Sequence, residues 1–256
     1  MNVSVVIITK NEQKKIADAI GSAAWANEIL VVDSGSTDLT CEIAEHLGAR
    51  VIVRDWPGFS EQKQFAVDTA KYDRIFSLDA DEIISDQLIT ELRSLKDLPD
   101  NDLAAGYLVP RLSFYLGKPI RHGGWYPDKQ MRFFDRKKGH WNGSLIHESF
   151  KLNDGESFSE LSSDLLHYSV DDLTHHNKMI GERYAPLAAK KMLNNGKHAS
   201  LPKILFSGTF AFLRAYIFKA GFLDGFPGFC IAYFAAHHAF LKQLMLREMQ
   251  KDQENI

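Results

Sequence analysis

A chain of 256 residues is long enough for one large domain, or for one domain with a helical appendage. Its 45% hydrophobic and 25% charged residues match an ordinary soluble globular protein, and a net charge of −3 argues against a dedicated nucleic-acid binder. The only two cysteines, Cys41 and Cys230, suggest no disulfide framework and make a reducing cytoplasm the expected compartment.

The charge is unevenly distributed. Residues 171–256 hold 11 Lys+Arg against 7 Asp+Glu, a balance of +4 that leaves −7 for the first 170 residues. Nine of the 17 phenylalanines lie between 201 and 240, so an acidic first part is followed by a basic, Phe-rich tail.

In chain order, "MNVSVVIITKNE" opens on an apolar strand without a basic leader or cleavage site, which points away from secretion. "VSVVIIT" (3–9) is a continuous β-branched run, as expected of a parallel strand buried on both faces. "EQKKIADAIGSAAWA" puts Ile16, Ala19, Ile20 and Ala23 on one helical face. "EILVVD" is a second strand, "DLTCEIAEHLG" a second helix closed by Gly48, "RVIVRD" a third strand, "SEQKQFAVDTA" a third helix and "RIFSLD" a fourth strand. "FSLDADEII" (76–84) is expected to run from that strand into a helix start. The alternation predicts a parallel, doubly wound sheet with right-handed crossovers, whose ligands bind at the carboxyl ends of the strands.

Those ends read "TKNE", "DSGSTD" and "DAD". Asp33 follows "LVV" directly, and Ser34, Gly35, Ser36 and Thr37 form a turn that can present backbone N–H groups. For that turn alone a plain helix cap is the simpler reading, but three acidic strand ends in one sheet favour a ligand. Asp79 and Asp81, on either side of Ala80, are best explained by a divalent cation. Two hard oxygen donors suit Mg²⁺ or Mn²⁺, which keeps waters and bridges to substrate phosphates.

The ordered set "VSVVIITKNE", "ILVVDSGSTDLT" and "SLDADE" resembles the successive signatures of the family-two inverting glycosyltransferases, over roughly the first 150 residues. The resemblance implies a GT-A fold, an α/β doubly wound mixed sheet, and a nucleotide-sugar donor. By that analogy Thr9, Lys10, Asn11 and Glu12 line the nucleotide pocket. Asp33, with Ser34, Gly35 and Ser36 beside it, holds the base or ribose. Asp79, Ala80 and Asp81 lie at the diphosphate, with both carboxylates on the metal. Chain length and the Phe-rich tail look closest to small bacterial glucosyltransferases of lipopolysaccharide core assembly, which implies UDP-glucose as donor and a saccharide or lipid-linked acceptor.

The stretch 106–150 is expected to carry the acceptor side. Trp125, Tyr126 and Trp141 either stack on sugars or pack structurally, and Arg121, Lys129 and Arg132 offer cations for phosphate. An inverting transfer needs a general base; Glu148 and Asp128 are the candidates, and the resemblance favours Glu148. His147 is open to three readings: metal ligand, acceptor contact or core histidine. These readings give a catalytic domain over 1–170, with a donor half 1–100 and an acceptor half 101–170, and a basic helical extension over 171–256. In that extension "KKMLNNGKHAS" (190–200) reads as a linker, followed by two helices broken around "GFLDGFPG". No uncharged stretch there reaches the ~20 residues of a transmembrane helix. The pair either packs structurally or lies peripherally on an anionic membrane, on the inner face of the cell membrane.

Rival readings are a glycosyltransferase for another lipid-linked or a protein acceptor, a nucleotidyltransferase, and a non-catalytic sugar-nucleotide-binding module. "TKNEQKK" lacks the glycine-rich loop typical of the nucleotidyltransferases, and a binding module would not need Asp33, Asp79 and Asp81 together.

Overall fold

The computed structural model describes residues 1–142, 148–170 and 172–254. Its first half follows the alternation: β1 (Val3–Thr9), α1 (Ile16–Ser22), β2 (Glu28–Asp33), α2 (Thr40–His46), β3 (Arg50–Val53), α3 (Phe59–Thr69) and β4 (Arg74–Asp79). β1 pairs in parallel with β2 on one side and β4 on the other, and β2 pairs in parallel with β3. Every residue of β1 is buried because the sheet is covered on both faces. Val3, Val5 and Ile7 pack with Ile16, Ala19 and Ile20 of α1, while Val6 and Ile8 pack with Ala66 and Val67 of α3. The period-two alternation of the strand thus feeds two cores.

The sheet then turns antiparallel. The remaining elements of this part are β5 (Glu82–Ile84), α4 (Asp86–Lys96), β6 (Gly106–Tyr115), β7 (Lys118–Pro119), β8 (Asp128–Asp135), β9 (Gly139–Trp141), β10 (Phe150–Leu152), β11 (Phe158–Glu160) and β12 (Leu165–Val170). The main sheet runs β3-β2-β1-β4-β8-β6-β12-β5, with β8 antiparallel to both β4 and β6. The expected helix start at the end of "FSLDADEII" is instead strand β5, antiparallel to β12 with Ile84 opposite Leu165. The helix begins two residues later, where the Ser85 hydroxyl accepts from the Leu88 N–H at 3.2 Å, a cap worth about 1 kcal/mol. An available antiparallel partner from far along the chain overrode the local helix signal.

Two compact units result: Met1–Arg111 with Asp128–His167, and Leu112–Pro127 with Tyr168–Ile256. The second is mainly helical. It holds α5 (Leu173–Lys178), a π-helical stretch Met179–Tyr184, α6 (Ala185–Asn194), α7 (Leu201–Leu213) prolonged by a π-helical stretch Arg214–Phe218, a 3-10 turn Gly221–Asp224 and α8 (Gly225–Glu254). The helix α6 takes in the first half of the expected linker, leaving 195–200 as the connection. Tyr115, Ile120, Val170, Cys230 and Ile231 form this unit's core, and Asp224 accepts from the backbone and ring of His122, both at 2.8 Å. Leu201–Phe218 is long and apolar enough to cross a membrane by length and composition, and only 11% of it is buried.

Candidate active site

The parallel register sets three strand ends side by side: Thr9 lies opposite Asp33, and Ile8 opposite Asp79. The loops that follow β1 and β2 are laced together. The Asn11 N–H donates to Ser36 Oγ at 2.7 Å, the Thr37 N–H to Asn11 Oδ1 at 2.9 Å and the Glu12 N–H to Thr40 Oγ1 at 2.8 Å. Asn11 adopts a left-handed backbone (φ 56°) to reach across, a conformation asparagine tolerates better than most residues. Lys10, Asn11 and Gly35 are exposed at this mouth, Glu12 and Ser36 are half-buried, and Thr9, Ser34 and Ala80 are buried.

Asp33 shapes the turn that follows β2. It is fully buried, Oδ2 accepts from the Gly35 and Ser36 amides at 2.8 and 2.7 Å, and Oδ1 accepts from the Ser36 hydroxyl at 2.5 Å. All three bonds lie within the turn after β2, which this carboxylate shapes. Thr9 Oγ1, by contrast, is buried without a hydrogen-bond partner.

Asp79 and Asp81 also part company. Asp79 Oδ1 lies 2.9 Å from the Lys63 ammonium and Oδ2 2.9 Å from the Arg132 guanidinium. Burial alone would raise its pKa, but Arg132 and then Lys63 override that and hold the carboxyl well below the usual range. Each Asp79 oxygen thus carries a side-chain cation. Asp81 Oδ2 instead lies 3.5 Å from His167 Nε2. Burial opposes its ionisation, and the hydrogen bond from His167 more than compensates, so its carboxyl is lowered.

Asp79 belongs to a chain of alternating charge. In order, Glu148–Lys63 is 3.6 Å, Lys63–Asp79 2.9 Å, Asp79–Arg132 2.9 Å, Arg132–Glu82 2.5 Å, Glu82–Arg111 3.3 Å and Arg111–Asp128 2.5 Å. Glu82 and Arg132 are almost wholly buried, which such charges sustain only when paired on both sides. The chain fixes the Asp128 carboxylate too: Oδ2 accepts from Nε and Nη2 of Arg111, and Oδ1 from Gln130 at 2.6 Å. Burial would raise Asp128, yet Arg111 holds it below the ordinary value, which makes it a poor proton acceptor.

A cleft of about 290 Å³ opens over one end of this chain, lined by Lys63, Asp79, Arg111, Arg132, Trp141 and Glu148 among others. Lys63 also stands 5.0 Å over the Trp141 ring. Of the two expected bases, Glu148 is the one that lines this space, and among the described residues its ionic contact, to Lys63, is a loose one. His147 lies outside the described residues. Lys129 pairs with Glu160 away from the cleft lining. Trp125 and Arg121 lie in the helical unit, Trp125 edge-on to Tyr115 and Arg121 over the Tyr126 ring.

Lys63, Glu82, Arg111 and His167 were not singled out from the sequence. Lys63 carried a signal: with Phe59, Ala66, Val67 and Ala70 it falls on the apolar row of α3, where a lysine is out of place unless it meets a buried carboxylate. Glu82 of β5 and Arg111 of β6 meet only because β12 brings the two strands into one sheet, which local sequence does not reveal.

The family model for glycosyl transferase family 2 matches residues 4–161. The chain belongs to that family. The order and mixed sense of its sheet are the GT-A arrangement of this glycosyltransferase, followed by a helical C-terminal region. It is 30% identical over 265 residues to the uncharacterized glycosyltransferase RP128 of Rickettsia prowazekii, covering 99% of this chain and 89% of that one. It is 29% identical over 245 residues to the lipopolysaccharide core biosynthesis glycosyltransferase LpsC of Rhizobium meliloti, covering 93% and 89%. Among solved structures, S. aureus TarS 1-349 in complex with UDP-GlcNAc is 14% identical, with 99% and 92% covered and a TM-score of 0.49.

Proposed function

We propose that this glycosyltransferase moves a hexose from a nucleotide sugar to a saccharide of the lipopolysaccharide core, with inversion at the anomeric carbon. The cleft in which Glu148 and Asp79 share one lysine carries the chemical part of this reading; the likeness to LpsC supports the acceptor class. Glu148 takes the acceptor hydroxyl's proton as the new glycosidic bond forms. Lys63, positioned by Asp79 below and Trp141 beside it, orients that carboxylate. The Thr9–Glu12 and Ser34–Ser36 loops receive the nucleotide through backbone groups and the Thr9 hydroxyl.

The residues fit a divalent ion that the donor completes. Asp81 and His167 offer one carboxylate and one imidazole at 3.5 Å, a donor pair suited to Mn²⁺ or Mg²⁺ together with waters and phosphate oxygens. No group of three His, Cys, Asp or Glu side chains suited to a resident metal exists among the described residues. An ion bound there would neutralise charge on the departing nucleoside diphosphate.

The helical unit supports a cytoplasmic enzyme lying peripherally on an anionic membrane. Phe206, Phe210, Leu213 and Ile217 form a row on α7 and its π-helical extension, from 42% to 66% exposed, while Arg214 and Lys242 flank the neighbouring helix face. One apolar face beside cations describes a helix pair lying in an interface rather than crossing it.

The experiment is transfer from UDP-glucose, and from other nucleotide hexoses, to deacylated lipopolysaccharide core with Mn²⁺ present. An NMR assignment of an inverted product anomer is expected. Retention of configuration, or transfer of a nucleotidyl group instead of a sugar, would overturn the reading.

A further inference from the structure

The second unit contains a pocket of about 370 Å³ between α7 and α8, walled by Phe210, Ala211, Ala215, Ala235 and Ala239. Its polar lining is cationic: Arg214, Lys219 and Lys242, with Ser207 and Gln243. No carboxylate lines it, and none of the three cations makes an ion pair among the described residues. Three positive charges gathered without a counter-charge repel one another, and Lys242 is half-buried while Arg214 and Lys219 reach solvent, so an anion entering the pocket would relieve the repulsion.

A second observation points the same way. Gln243 is 7% exposed, and its Oε1 has no hydrogen-bond partner. Rotation of the amide by half a turn exchanges its oxygen and nitrogen, so Gln243 can turn its NH₂ into the pocket as a donor. The site is also built rather than incidental. A side chain on Gly124 would come within 2.2 Å of the Lys219 ammonium, and the Gly123 N–H donates to the Lys219 carbonyl at 2.9 Å, so this glycine pair makes room for and holds Lys219.

We propose that this pocket binds the phosphate headgroup of an anionic lipid, gripped by Arg214, Lys219 and Lys242 and completed by Gln243. Arginine matches phosphate with a fork of donors, and lysine supplies a point charge. The lipid source follows from the wall. Phe210 lines the pocket and is also 64% exposed in the row Phe206, Phe210, Leu213, Ile217. A phosphate in the pocket therefore has an apolar track beside it for acyl chains, which a free phosphate or a soluble sugar phosphate would not use. The lowered pKa of Lys242, due first to burial and then to Lys197, fits an ammonium awaiting a counter-ion. This inference deepens the peripheral-membrane part of the proposed function and rests on it.

The test uses the full chain and three probes: dihexanoyl phosphatidic acid below its micelle concentration, inorganic phosphate, and vesicles of phosphatidylglycerol with phosphatidylcholine. Binding is compared for wild type, Arg214→Gln, Lys242→Gln and the exposed control Lys190→Gln, each checked for an unchanged thermal melt and unchanged sugar-nucleotide hydrolysis. The short-chain lipid is expected to bind wild type and to lose about fivefold for each pocket cation removed, with Lys190→Gln unchanged. Arg214→Lys, which keeps the charge, should recover most of that loss and serves if the glutamine variants melt early. Equal affinity for inorganic phosphate and the short-chain lipid would overturn the lipid assignment. Equal losses for Lys190→Gln and the pocket variants would reduce the site to diffuse charge and overturn it. Vesicle binding that survives the pocket variants, with no short-chain lipid bound, would sink the pocket while leaving the membrane reading intact. Absence of all vesicle binding would sink both.

Discussion

The Lys63 ammonium stands 3.6 Å from the Glu148 carboxylate, and the same nitrogen is 2.9 Å from Asp79. A lysine in the middle of an apolar helix row thus ties the end of β4 to the residues just before β10 within one unit. The contact to Glu148 is long, so this carboxylate can turn toward an acceptor hydroxyl. Asp128, gripped by two nitrogens of Arg111, cannot.

This asymmetry separates the two base candidates. Glu148→Gln is expected to lower kcat by about 10² to 10⁴ with little change in donor KM, because the amide fills the same volume but accepts no proton. Asp128→Asn should cost less than about tenfold in kcat, since it loses part of a charge network and not a proton acceptor. Steady-state kinetics of both variants decides. The opposite pattern would exchange the roles.

Asp33 is expected to act on stability. Its two oxygens accept three hydrogen bonds inside the "DSGS" turn, two of them from backbone amides. Asp33→Ala should lower unfolding stability by roughly 2–3 kcal/mol, visible in urea unfolding. A variant as stable as wild type whose donor KM alone rises would return Asp33 to a direct nucleotide contact.

The helical unit should weaken in mild acid. Burial, and to a smaller degree His175, holds His176 down at about 4 from an ordinary 6.5, while its Nδ1 lies 2.8 Å from the Tyr115 hydroxyl. The unfolded chain takes up this proton below about 6.5 and the folded unit only near 4, so stability is full above that window and falls as pH drops through it. Half-buried His238, also lowered, adds in the same direction. Hydrogen exchange over α5 to α8 should show lost protection between pH 7 and pH 5 that is smaller in His176→Phe. An equal loss in both proteins would show that His176 is not responsible.

The apolar runs of β1, β2 and β4 and the acidic residues at their ends were legible because parallel strands buried on both faces leave little else a β-branched run can be. The "DAD" triplet marked the right strand end, yet its two carboxylates took different partners, since which oxygen meets which cation depends on α3 and β8 arriving from elsewhere. The part Asp33 plays in its own turn also had a signal: an aspartate two residues before a glycine-containing turn commonly satisfies its own backbone. The alternating chain from Glu148 to Asp128 was invisible, because every link joins residues brought together by register or by helix packing rather than by spacing.

Donor binding at Asp81 tests the account most directly. UDP-glucose titrated into the enzyme by calorimetry, with and without Mn²⁺, should show tight binding only with the ion in the wild type. Asp81→Asn should lose on the order of a hundredfold in that metal-dependent affinity while melting normally, because a neutral amide cannot replace the ionised donor beside His167. Equal affinity of wild type and Asp81→Asn, unaffected by removal of the metal, would contradict the assignment of Asp81 and His167 as the pair that completes the donor site.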